Sequence, residues 1–186
     1  VRYATTGASH LKNAQPLTFN HVHGPIAIAH NGNLTNAGRL RERLEERGAI
    51  FQSSTDSEVI VHLIARSKGP VEDAIIHSLR QVLGAYSLVF LTPDKLIAAR
   101  DPYGFRPLVL GRLGRAWVVA SETTALNLMG ARTVREIEPG EILILEAGTV
   151  PKSVKPFGEP PAPAKCVFEQ VYFARPDSTV FSRSVM

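Results

Sequence analysis

Cysteine is almost absent from this sequence. Cys166 is the one thiol in 186 residues, so no internal disulfide can brace the fold, and the composition suits a reducing compartment such as the cytosol. Long hydrophobic runs are also missing. "YSLVFL" and "EILILEA" fall well short of the roughly 20 apolar residues that a membrane helix requires, so no membrane is expected as a partner. The opening "VRYATTG" has neither a basic segment nor an apolar one, so no secretory leader is expected from it. It does not begin with Met, and the expectation is a fragment or a processed chain. No repeat and no basic run interleaved with aromatics occurs. The net charge is +4, but the basic residues are dispersed and several have Glu neighbours, as in "RLRERLEERG", so nucleic acid is not an expected partner.

What remains is an ordinary globular composition, 44% hydrophobic and 20% charged, in one domain's worth of chain. "GPIAIAH" (24–30) reads as a strand that runs into His30-Asn31-Gly32-Asn33 and stops there. A charged helix near 36–47 follows, with Leu40 and Leu44 four apart and Gly48 as its stop. The second helix starts at Thr55-Asp56-Ser57-Glu58, a capping-box pattern, and Gly69 ends it. Pro70 opens a third, with Ala74, Ile75, Leu79 and Val82 on one side. "AYSLVFL", "KLIAARD", "RPLVLGRL", "RAWVVASE" and "EILILEAG" then read as closely spaced strands, interrupted by the short helix "TTALNLMG". Helices against an antiparallel meander predict a layered α+β domain. Five prolines in "PKSVKPFGEPPAPAK" predict a linker, and the apolar "CVFEQVYF" beyond it predicts a strand.

Few residues here could do chemistry. Asn-Gly usually marks a hairpin turn, yet Asn31-Gly32 precedes a helix. An Asn amide and a glycine N–H can also converge on a developing oxyanion. Asp56 suits a helix start through the macrodipole; with Thr55 and Glu58 capping, it would be free to face a ligand cation. Arg2 is either a surface arginine or a bidentate partner for a carboxylate. The histidines have no carboxylate or Cys at ligand spacing, so no metal site is expected from them. "DPYGFRPL" alone says only loop.

In this order, "VRYATTG", "HNGNLTN", "STDSEV", "RDPYGFRPL", "ASETTAL" and "EPGEIL" resemble the glutaminase domain of class II, N-terminal-nucleophile glutamine amidotransferases. The closing "FEQVYFARPDS" is similar to the junction at which the amidophosphoribosyltransferases of purine synthesis pass into their phosphoribosyltransferase half. The resemblance implies a four-layer αββα sandwich, here missing its leading strands. It divides the chain into a glutaminase domain (1–150), a linker (151–165) and the start of a transferase domain (166–186). The whole enzyme would hydrolyse glutamine and pass ammonia to phosphoribosyl pyrophosphate. Arg2 would hold the glutamine carboxylate and Asp56 its ammonium, while Asn31 and Gly32 would form the oxyanion hole. The family's nucleophile is an N-terminal cysteine whose own amine acts as base; it would lie upstream, leaving this fragment inactive. Mg2+ and the phosphoribosyl pyrophosphate site would belong to the transferase half. Some members carry a 4Fe-4S cluster with a ligand near the junction, which makes Cys166 a candidate. The full-length enzyme would be a cytoplasmic homo-oligomer. The alternatives are a hexosamine- or asparagine-forming amidotransferase, or a non-catalytic amino-acid-binding domain.

Overall fold

The computed structural model describes residues 10–22, 24–158 and 162–185, so Arg2 lies outside the described residues. β1 (Leu17–His21) and β2 (Gly24–Leu34) form a hairpin, followed by α1 (Ala37–Glu45), α2 (Ser57–Ala65) and α3 (Val71–Leu79). β3 (Gly84–Leu91) and β4 (Lys95–Arg100) come next, then β5 (Val109–Leu113), β6 (Ala116–Ala120), α4 (Thr123–Leu128) and β7 (Arg132–Glu136). β8 (Ile142–Glu146) and β9 (Lys152–Val154) follow, and the hairpin β10 (Thr179–Val180) and β11 (Arg183–Ser184) closes the described chain. One antiparallel sheet has the order β1-β2-β3-β4-β8-β9, and a smaller one β6-β5-β7.

Alternation along the strands builds the layers, since successive side chains point to opposite faces. Leu88, Phe90, Ile97, Ile142 and Ile144 meet the helices, packing with Leu40, Ile60, Ile75 and Leu79. Their strand neighbours Ala98, Leu143 and Leu145 meet Leu108, Leu110 and Ile137 of the second sheet region. Val109, on the far face of β5, packs with Leu126 of α4 and with Ala131. The stack is therefore helix, sheet, sheet, helix, the αββα sandwich expected.

Several details differ from the sequence reading. β2 does not stop at Asn31: Asn31, Gly32, Asn33 and Leu34 stay in register with Ser87, Tyr86, Ala85 and Gly84. The two glycines make this possible. Gly32 has φ +149°, and a Cβ there would stand 2.1 Å from Ala85 O; Gly84 has φ +134°, with a Cβ 2.3 Å from Asn33 O. The capping box does not form either. Glu58 reaches back instead to accept the N–H groups of Gln52 (2.8 Å) and Ser53 (2.7 Å). β7 went unseen because "RTVRE" is largely exposed and carries no apolar alternation. β9 adds a sixth strand inside the stretch expected to be linker, pairing Val154 with Ile142. The strand expected near 166–173 is a helical turn over Glu169–Phe173, pinned where Glu169 meets Arg106 at 2.6 Å. Its Val167, Phe168, Val171 and Tyr172 point outward as an exposed apolar strip.

Five of the basic residues, dispersed in sequence, are gathered in space. Arg43, Arg47, Arg66, Lys68 and Arg80 line one groove of about 850 Å³ on the helical layer.

Candidate active site

Backbone hydrogen bonding sets the site's frame at the end of β2. Thr35 N–H donates to Leu83 O at 2.8 Å, which makes the odd-numbered residues of β2 those bonded to β3. The even-numbered N–H groups face the other edge, where β1 pairs only with residues 24–28. Side chains take its place. His30 N–H donates to Gln15 Oε1 (2.6 Å) and Leu34 N–H to Asp56 Oδ2 (2.8 Å). By strand alternation the Gly32 N–H lies on this same edge, between the two. Asn31, of opposite parity, is exposed on the face turned away from the helices.

Asp56 is brought to this point but is not free, contrary to the capping argument. Its second oxygen lies 3.6 Å from His30 Nδ1 and accepts from Ser57 Oγ at 3.4 Å. Burial opposes its ionised form, but the contacts with His30 and with the N–H groups of Leu34 and Ser57 outweigh that and hold its pKa below the ordinary carboxylate value. His30 Nδ1 also meets Ser57 Oγ at 3.0 Å, and its ring is 1% exposed. Asp56 is thus stitched to β2 on both sides of Gly32. The structure brings Asp56 to the strand on either side of Gly32; Asn31 is the next residue along β2, with its side chain on the opposite face of the sheet.

Sequence reasoning missed the residues that frame this group. Asn13 is fully buried; its Nδ2 donates to Ser54 Oγ (2.8 Å) and its Oδ1 accepts from Ser54 N–H (3.0 Å), which pins residues 10–16 to the loop before α2. Gln15, His30 and Asn13 find partners far along the chain, and no local pattern announces them. The loop "RDPYGFRP" was also undervalued. Arg100, 1% exposed, donates to the carbonyls of Arg106 (2.8 Å), Ile137 (2.6 Å) and Gly104 (3.1 Å). Asp101 accepts from the N–H groups of Tyr103 (2.9 Å), Phe105 (3.1 Å) and Tyr86 (3.3 Å). Burial lowers the Arg100 pKa and raises that of Asp101. Ser87, the rung partner of Asn31, donates to the same Arg106 carbonyl (3.2 Å), so this clasp underlies the Asn31 face.

Cys166 is a half-buried free thiol whose N–H donates to Phe105 O at 3.3 Å. A 4Fe-4S cluster needs four thiolates. Among the described residues no group of three or more His, Cys, Asp and Glu could hold a metal, so these residues do not fit a cluster by themselves. No helix of the described residues is long and apolar enough to cross a membrane.

The layers form an αββα sandwich, with an exposed amide, a glycine and a buried carboxylate gathered around the end of β2. Residues 3–128 match the glutamine amidotransferase domain family, and the chain belongs to it. Along its whole length it is 52% identical to the chloroplastic amidophosphoribosyltransferase 1 of Arabidopsis thaliana, of which it covers 33%. It is 46% identical to the amidophosphoribosyltransferase of Bacillus subtilis, with 97% of this chain and 38% of that protein aligned. The solved glutamine phosphoribosylpyrophosphate amidotransferase of B. subtilis, in complex with ADP and GMP, superposes with a TM-score of 0.92 at 44% identity, over 100% of this chain and 40% of that one. The chain therefore spans about a third to two fifths of the length of these relatives.

Proposed function

We propose that this chain supplies the glutamine-binding and oxyanion-stabilising part of an amidophosphoribosyltransferase. That enzyme hydrolyses glutamine and delivers the ammonia to phosphoribosyl pyrophosphate, giving phosphoribosylamine. The observation that carries the reading is the position of Gly32 between His30 and Leu34, whose N–H groups are held by Gln15 and Asp56, with the exposed Asn31 beside it in the strand. The names of the relatives support the transferase step.

In the reaction, a thiolate attacks the side-chain amide carbon of glutamine and the carbonyl oxygen takes up negative charge. The Asn31 Nδ2 and the Gly32 N–H donate to that oxygen, an interaction absent from the resting amide and strongest in the transition state. Asp56, already ionised at neutral pH, pairs with the substrate ammonium, and Arg2 pairs with its carboxylate. Cys166 is not the attacking thiol: it is internal, so no α-amine accompanies it as base. A single free thiol and the exposed strip at 167–172 fit a reducing compartment and further protein covering that strip, as in a homo-oligomeric enzyme.

Steady-state kinetics of the full-length enzyme test the assignment. Asn31→Ala should lower kcat with glutamine by about 10²–10³-fold, on the precedent of single oxyanion-hole donors. Asp56→Asn should raise KM more than it lowers kcat. Both variants should keep synthesis from free ammonia, which bypasses the glutamine site. Equal loss with both nitrogen donors would make them folding residues and overturn the reading.

A further inference from the structure

The groove on the outer helical layer lies on the side of the first sheet opposite the exposed face of Asn31. Arg43 and Arg47 come from the end of α1, Arg66 and Lys68 from the end of α2, and Arg80 caps α3. Asp73 is the one carboxylate in the lining. That excess of cations is as large as the net charge of +4 carried by the whole chain. Favourable placement at helix C-termini explains each cation singly. It does not explain why three helices aim theirs into one concavity.

Two further properties make this more than a solvated face. Among the described residues, no carboxylate forms an ion pair with Arg43, Arg47, Arg66 or Lys68. Arg80 is oriented beforehand, its Nε and Nη2 donating to Pro156 O at 3.3 and 3.0 Å. The floor is apolar, with Leu44, Leu63 and Ile76, and a volume of about 850 Å³ suits a compact ligand better than an extended polymer. Guanidinium groups recognise phosphate oxygens through paired hydrogen bonds.

We propose that this groove binds a short chain of about three phosphates, either free or carried by a nucleotide, at a site separate from the glutamine pocket. The full-length protein is titrated calorimetrically with inorganic tripolyphosphate at about 50 and 200 mM salt, since screening weakens such contacts. Hydrogen exchange is measured alongside. Binding should weaken at the higher salt, with added protection confined to residues 40–47, 63–68 and 76–81. The triple variant Arg47→Gln, Arg66→Gln, Lys68→Gln should bind at least about tenfold more weakly, because hydrogen bonds to charged groups each contribute more than that factor. These side chains are exposed, so its melting temperature should match the parent's. ATP that displaces tripolyphosphate from the groove identifies a nucleotide source; ATP that does not identifies free polyphosphate. Unchanged affinity in the triple variant, or protection elsewhere only, overturns the proposal. Displacement by an Asp/Glu-rich peptide at equal concentration would likewise overturn it, in favour of an acidic protein surface.

Discussion

Asp56 is a carboxylate whose partners all favour its ionised form, and that gives stability a definite pH dependence. Its pKa is lowered in the folded protein, so its contribution is complete above the unfolded value of about 3.9 and fades as pH falls through the folded value. Asp56→Asn should therefore cost about 1–3 kcal/mol near neutral pH, the penalty for disturbing buried partners. The gap from the parent should begin to close in thermal melts as pH falls below about 4. A gap that is constant with pH would mean that shape, not charge, holds the loop before α2. Asn31 and Gly32 stand out in the sequence as candidates because Asn-Gly ahead of a helix is an anomaly that demands a reason. His30 and Arg100 were not. The hydroxyl meeting His30 belongs to Ser57, and Arg100 reaches to Ile137, so only the folded chain reveals what each does.

The paired end of β2 and β3 shows how an element can look different from its parts. Asn33 and Ala85 form a bonded rung, and the glycines on either side of it leave room for its two carbonyl oxygens. Gly32→Ala places a methyl group 2.1 Å from one of them, at a φ that L-residues rarely adopt. The expected cost exceeds about 4 kcal/mol, the range reserved for gross steric conflict, and denaturant unfolding would show it. Loss of activity in that variant says nothing about the oxyanion, which is why Asn31 is the residue to change. A change of below about 1 kcal/mol would show that the two strands can separate locally. The helices were readable because Leu40 and Leu44 keep helical spacing and Pro70 and Gly69 punctuate the chain. β2 was cut short because Asn and Gly are scored as breakers, and nothing local says that a facing glycine accommodates them.

Over the whole molecule, the four layers follow from parity along β4 and β8, where alternate residues serve the helical core and the intersheet core. That alternation is visible in "KLIAAR" and "EILILE", but which sheet each face meets depends on contacts between distant segments. The cationic groove stayed hidden for the same reason, since its cations come from the ends of three successive helices. The turn after Cys166 carries a different consequence. Val167 and Phe168 just before the turn, and Val171 and Tyr172 within it, are each more than half exposed. For the 186 residues taken alone, this strip is a sticky seam on the surface. Light scattering should show the apparent mass climbing with concentration, and Phe168→Ser with Tyr172→Ser should flatten that climb while leaving the melting temperature in place. In the cell, chaperones bind strips of this kind for as long as they stay uncovered, so the timing of folding becomes part of how the protein stays in solution.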